Sequence, residues 1–156
     1  MEFRGWKMVD SRQKGARGET VARDALRKLT GLQWERTPGS GALNAKHSLK
    51  GDLYVPNSKN NYCVEVKNYE EDHLTSKYLT DKTPQITQWW AQTVRESAEV
   101  QKLPLLIFKF NRSKLFVAFQ LDQPREILSG HMYLSRDKIW VMLLEDFVKE
   151  INPQWV

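Results

Sequence analysis

The residues best suited to chemistry in this sequence are two carboxylates and an amine: Asp52, Glu65 and Lys67. Along Tyr62-Cys63-Val64-Glu65-Val66-Lys67, a strand would turn Tyr62, Val64 and Val66 to one side and Cys63, Glu65 and Lys67 to the other. A carboxylate and an amine then share one face of a strand apolar enough to be buried. Buried charge is costly unless it is paired or bound to metal. Asp52 opens a second short run after Gly51, and a hairpin would bring it near Glu65. Two carboxylates on neighbouring strands with a lysine can hold Mg²⁺ and position a water against a phosphodiester. Blander readings stand beside this one. Glu65 and Lys67 could form an exposed edge-strand ion pair, of little energetic weight, and Asp52 could merely end a turn.

Other chemistries fit less well. His47, His73 and His131 are scattered without metal-ligand spacing. No P-loop, G-x-G-x-x-G or G-x-S-x-G occurs. The single cysteine, Cys63, excludes an intramolecular disulfide framework and reads as a buried packing residue. Trp89 and Trp90 read as core or interface anchors, not as base-stacking platforms.

The elements that must position these residues follow from periodicity. Ala16, Val21, Ala22, Ala25, Leu26 and Leu29 recur at three- and four-residue steps, predicting a helix from Ser11 to Leu29 that stops at Gly31. Gly15 and Gly18 in its first turns would let another backbone approach closely. Strands are predicted over Leu32–Thr37, Asp52–Val55 and Tyr62–Asn68, with a long polar loop from Pro38 to Lys50 between the first two. A charged stretch from Tyr69 to Asp81 leads to a second helix, with Thr83 as N-cap and Pro84 in first position. Ile86, Trp89, Trp90, Val94 and Ala98 form its apolar face. Strands Leu103–Phe110 and Lys114–Leu121 flank a hairpin turn, and a last strand, Ile139–Leu144, precedes a short helix from Glu145 to Ile151. This order describes an α/β domain with a mixed sheet flanked by helices.

At 156 residues, 18.3 kDa and 40% hydrophobic content, the chain is sized for one domain with an ordinary core, which excludes a disordered or fibrous chain. No apolar run approaches the ~20 residues of a membrane helix, and no apolar stretch follows the first basic residues as in a secretory leader. A soluble, cytoplasmic protein with no membrane partner is expected. The net charge is +5, unevenly spread: residues 1–60 hold 12 Lys/Arg against 6 Asp/Glu, whereas residues 61–156 hold 12 against 13. Excess positive charge confined to the first two fifths points to a polyanionic partner. Lys14, Arg17, Lys46 and Lys50 are its candidate phosphate contacts, from charge and loop position. Residues 1–12, with Arg4, Trp6, Lys7 and Arg12, read as a basic arm.

Taken together, Gly51-Asp52 and Glu65-Val66-Lys67 resemble the PD-(D/E)xK nuclease signature, with Gly51 where that motif often has proline. The likeness extends to archaeal-type Holliday junction resolvases, which also occur in phages. Lys14-Gly15-Ala16-Arg17-Gly18-Glu19 resembles their opening K-G-x-x-x-E, Arg36-Thr37-Pro38-Gly39-Ser40 approximates R-S-x-G-S, and Asp72-His73-Leu74 matches D-H-L. A strand like Leu105–Phe110 follows in both. Thr20 stands where those proteins often carry an arginine. The similarity runs over residues 13–121 in consistent order; the loop from Gly41 to Lys50 and the tail after Leu121 depart from it.

The resemblance implies a restriction-endonuclease-like α/β fold spanning residues 13–156, with a C-terminal extension after about 121. It implies a homodimeric, Mg²⁺-dependent endonuclease, Mn²⁺ serving as substitute, that cuts paired strands of a four-way DNA junction. Asp52 and Glu65 would be metal ligands together with the Val66 carbonyl, and Glu19 would add a carboxylate directly or through water. Lys67 would orient the attacking water, and Arg36 and Ser40 would handle DNA near the scissile phosphate. Glu19 has no signal of its own, because a glutamate in the first turns of a helix is ordinarily explained by the helix dipole. Two other readings remain: a monomeric nickase or exonuclease on the same fold, and a catalytically idle DNA-binding module. Intact carboxylates argue against the second of these, since a pure binder would gain by replacing acids near phosphates.

Overall fold

The computed structural model describes residues 3–38 and 49–156, with side chains in the first helix described from Gly15 onward. Helix α1 (Phe3–Thr30) begins earlier than the periodicity predicts, so helical backbone continues through most of the expected basic arm. It buries Ala22 and Leu26 completely, whereas Val21, assigned to the same face from sequence, stays exposed. The helix stops where Gly31 adopts φ +76°, a conformation open to glycine at little cost.

After β1 (Glu35–Arg36) and β2 (Leu53–Tyr54) come β3 (Tyr62–Tyr69), the short helix α2 (Lys77–Thr80) and α3 (Gln85–Glu99). Pro84 is the N-cap of α3, one position later than Thr83, because a proline in extended conformation with no N–H to offer closes the entry. β4 (Leu103–Phe110) and β5 (Phe116–Phe119) follow. Then come β6 (His131–Leu134), which carries no clear period in sequence, β7 (Ile139–Leu143), α4 (Leu144–Asp146) and a π-helical turn (Phe147–Ile151).

The seven strands form one sheet ordered β1-β2-β3-β4-β5-β7-β6. β3 and β4 pair in parallel, joined by the crossover that contains α3; every other pair is antiparallel. This is the mixed sheet flanked by helices that the sequence predicts. The segment after residue 121 is built into it, since β7 pairs with β5 over four residues. The β6–β7 turn is clamped to the α2 region by Arg136, which donates to the carbonyls of Tyr78, Asp81 and Lys82, and by Asp137, which accepts from Tyr78 and Thr87.

Two apolar cores lie on opposite faces of the sheet. Val64, Val66, Leu105 and Ile107 face α1, Trp34 and Trp155, while Leu106, Phe108 and Phe110 face α3. The expected face of α3 needs correction. Ile86, Trp89 and Trp90 are buried, but the face continues through Thr93 and Ser97, and Val94 and Ala98 are exposed. The two hydroxyls tolerate burial because each donates back to its own helix, Thr93 to the Trp89 carbonyl and Ser97 to the Val94 carbonyl. Trp89 and Trp90 are thus core residues of one chain, 3% and 5% exposed, the first of the two roles the sequence left open. Among the described residues no helix is long and apolar enough to cross a membrane.

Candidate active site

The site is built around the point where β2 begins. β2 pairs with β3 only through Leu53 and Val64, so the next β3 donor facing that edge, the Val66 N–H, has no strand partner. The Asp52 carboxylate takes its place, accepting from Val66 N at 2.7 Å. Asp52 is held there by its own backbone, which donates to the Val64 carbonyl at 2.6 Å and accepts from Thr37 N at 2.9 Å. Gly51 makes the turn possible. Its φ is +82°, and a Cβ there would lie 2.6 Å from the Val64 carbonyl oxygen. Proline, fixed near φ −65°, cannot occupy this position, which accounts for the glycine in place of the motif's usual proline.

β3 orients its side chains as the alternation predicts. Tyr62, Val64 and Val66 pack on the α1 side, while Glu65 and Lys67 point to the α3 side. Glu65 is 5% exposed and lies beside Leu106 in the ladder. Lys67 Nζ stands 3.7 Å from Glu65 Oε1, a loose ion pair in a mostly buried setting and not an exposed edge pair. Burial, then a carboxyl–carboxyl contact with Glu96, then the charge of Asp52 push Glu65 far above the ordinary carboxylate range. Asp52 is raised by burial as well, against the lowering effect of the Val66 N–H and Lys67.

The α1 side contributes Glu19, raised by burial and by the nearby Asp52, and ion-paired to Arg36 Nε at 3.2 Å. Close helix–strand contact puts it there. A Cβ on Gly18 would stand 2.6 Å from Asn68 Cβ, so α1 reaches β3 only because residue 18 is glycine; nothing lies within 4 Å of the corresponding point on Gly15. The structure therefore brings Asp52, Glu65, Lys67, Glu19 and Arg36 together. Arg17 is exposed on α1, and Lys50 is paired with Glu99 at the end of α3 at 3.2 Å. Ser40, Lys46 and His47 lie outside the described residues, as does the side chain of Lys14.

Sequence reasoning missed the contribution of α3. Gln92 Nε2 approaches Glu65 Oε1 at 3.5 Å and Glu96 Oε1 at 3.3 Å. Glu96 Oε2 is buried and, among the described residues, no amide, hydroxyl or ammonium donates to it; its contact with Glu65 is a hydrogen bond only when one of the two acids keeps a proton. A glutamine and a glutamate four residues apart on an amphipathic helix are ordinary neighbours on one helix face, and that spacing gives no signal of a site.

Chemically, the cluster sets the Asp52, Glu65 and Glu96 carboxylates near one another, with the Lys67 amine beside Glu65. That donor set suits a hard divalent cation, which takes carboxylate, carbonyl and water oxygens. Among the described residues, no three acid, imidazole or thiol side chains converge on one point. His73 packs among Tyr69, Trp89 and Phe110, away from any ligand role.

Residues 10–156 match the family described as "Phage putative PDDEXK endonuclease". Protein D14 of Escherichia phage T5 is 40% identical over 141 residues, covering 86% of this chain and 88% of the relative. Hjc of Archaeoglobus fulgidus, a Holliday junction resolvase from an archaeal hyperthermophile, aligns over 92% of this chain and 99% of its own, at 16% identity and a TM-score of 0.42.

Proposed function

The chain belongs to the phage PDDEXK endonuclease family and is a nuclease of that superfamily; from that premise we propose that it is a metal-dependent endonuclease that resolves four-way DNA junctions by paired phosphodiester hydrolysis. The observation that carries the catalytic reading is the Asp52 carboxylate fixed at 2.7 Å on the Val66 N–H, between Glu65 and Lys67 on the adjacent strand. The junction substrate is supported by the K-G-x-x-x-E, R-T-P-G-S and D-H-L segments, which accompany the nuclease signature in consistent order.

Asp52, Glu65 and the Val66 carbonyl would hold the cation, Mg²⁺ or in its place Mn²⁺. When bound, that cation polarises the phosphate and lowers the pKa of a water. Lys67 donates to a phosphate oxygen and orients the attacking water, its ammonium kept in register by Glu65. Glu19 accepts from a further water beside Asp52. Arg36, now paired with Glu19, has a guanidinium planar enough to grip a phosphate in two places. Lys14, Arg17, Lys46 and Lys50, with Ser40, track the backbone leading to the cut. A homodimer would present two such sites to two strands.

One observation favours the second reading, a monomeric nickase or exonuclease: Trp89 and Trp90, read as core or interface anchors, are core residues of the single chain. The deciding experiment compares cleavage of a four-way junction with linear duplex and single strand, in Mg²⁺ and in EDTA, with the oligomeric state read by sedimentation. Paired cuts in the junction alone, by a dimer and only with metal, support resolution. Equal cutting of linear DNA by a monomer would replace it with the second reading.

A further inference from the structure

Glu96 is the one acid of the cluster that neither the nuclease signature nor the resolvase resemblance accounts for. Its side chain reaches from α3 toward Glu65, on the opposite flank from Glu19, and Gln92 connects the two by donating toward both. A carboxylate oxygen that is shut off from solvent, and to which no amide, hydroxyl or ammonium donates among the described residues, is expensive to keep. Gln or Met would pack there at lower cost, so the acid stands out as a feature the fold alone does not require.

We infer that Glu96 is a positioning residue for the divalent cation, accepting hydrogen bonds from its hydration shell on the α3 side; the inference rests on the metal-dependent reading above. The outer-sphere role follows from the geometry. Asp52, Glu65 and Glu96 do not converge on one point as side-chain ligands. Mg²⁺ in such sites takes only one or two carboxylates and keeps several waters, and those waters need acceptors. Glu96 Oε2, which no amide, hydroxyl or ammonium among the described residues reaches, is such an acceptor. Gln92 sets its direction by holding Oε1, as outer-shell partners orient ligands at metal centres generally.

The test measures Mn²⁺ binding to the protein without DNA, by titration calorimetry and by electron paramagnetic resonance of the free ion, alongside thermal melting. Glu96→Gln should weaken Mn²⁺ binding by about 10-fold or more, in the range typical of outer-shell substitutions. Glu96→Asp, which keeps the charge, should recover part of the loss. Melting of the metal-free Glu96→Gln protein should be unchanged or higher, because the new amide can donate to Glu65 where a carboxylate cannot. A merely structural residue would not lower affinity while leaving stability unchanged or raised. Glu71→Gln removes an exposed acid and controls for net charge; it should leave binding within about twofold at physiological salt.

If Glu96→Gln binds Mn²⁺ as wild type does while Asp52→Asn does not, the inference fails and the nuclease reading stands. An equal loss in Glu71→Gln also overturns it. If wild type binds no Mn²⁺, the metal-dependent reading falls first and this one with it.

Discussion

Replacing Gly51 with alanine tests the geometry of the site more sharply than removing any of its charges. The residue sits at φ +82°, and its missing side chain leaves room for the Val64 carbonyl oxygen 2.6 Å and Cys63 Sγ 3.1 Å from where a Cβ would be. The left-handed conformation costs an L-residue roughly 1–2 kcal/mol. The overlap with a backbone carbonyl in a central strand adds roughly 1–3 kcal/mol, since that atom cannot rotate away. The sum is about 2–5 kcal/mol, and for a chain of this size the melting temperature should fall by about 5–15 °C. The same displacement loosens the Asp52 N–H···Val64 bond of 2.6 Å, and with it the carboxylate seated on Val66. A shift of about 1 Å in a catalytic group can cost on the order of 100-fold in rate, so cleavage should fall even at temperatures where the protein is folded. Gly15→Ala is the matched control: nothing lies within 4 Å of its Cβ position, and a helical alanine there should stabilise by about 0.5–1 kcal/mol. Far-UV circular dichroism melts and a junction-cleavage time course read both effects. A Gly51→Ala protein that melts within about 1 °C of wild type and cuts normally would refute the steric argument.

Asp52→Asn, Glu65→Gln and Lys67→Ala should each reduce cleavage by at least about 100-fold while leaving DNA binding and the far-UV spectrum intact; near wild-type turnover in any of them would sink the assignment. Lys14→Ala and Arg17→Ala should each flatten the dependence of log affinity on log salt by about one unit. Arg125→Ala should leave it unchanged, because that guanidinium is occupied with the Glu150 carbonyl; an equal response at all three would show that the charged first segment forms no binding face. Burial, with Glu96 and Glu65 nearby, pushes the Cys63 thiol up to about 12. At pH 8 it should therefore resist a disulfide reagent in the native protein and react only on unfolding, and rapid stoichiometric labelling without denaturant would contradict that burial.

The strand that carries Glu65 and Lys67 was legible because its two-residue alternation is strict: Tyr62, Val64 and Val66 went to the α1 core and Glu65 and Lys67 to the opposite face, as the pattern demands. Leu103–Phe110 was legible for a related reason, an unbroken apolar run matching a strand buried on both faces. β6 was not, because His131, Met132 and Tyr133 are all exposed on a sheet edge and carry no inside–outside rhythm. The face of α3 was misread where hydrophobicity and burial part company, with exposed Val94 and Ala98 and buried Thr93 and Ser97. Those hydroxyls bond within the helix, a compensation invisible in a hydropathy pattern. Within the site, Asp52, Glu65 and Lys67 announced themselves by spacing. Glu19 entered through the resemblance alone, and the three-dimensional reason for its place is the close approach at Gly18. Gln92 and Glu96 had no such aid, since nothing in sequence says which polar residues of a helix lean over a strand.

The segment around Trp155 has a consequence for the order in which the molecule can be made. Its indole is wedged among Trp34, Tyr62 and Phe147, and its carbonyl accepts from the Asn61 N–H while the Gln154 carbonyl accepts from the Asn61 side chain. Asn61 immediately precedes the strand that carries Glu65 and Lys67, and 93 residues separate it from Gln154. At about 5–20 residues per second, a ribosome takes roughly 5–20 s to cover that gap. Until it does, β3 lacks the parallel partner β4 for part of the time and the Trp155 anchor throughout. Contacts of such long range close late, after the loop entropy between them has been overcome. The strand bearing the charged pair therefore pairs with β4 before it gains its Trp155 anchor, and that anchor closes only after the 93 residues beyond Asn61 have been made.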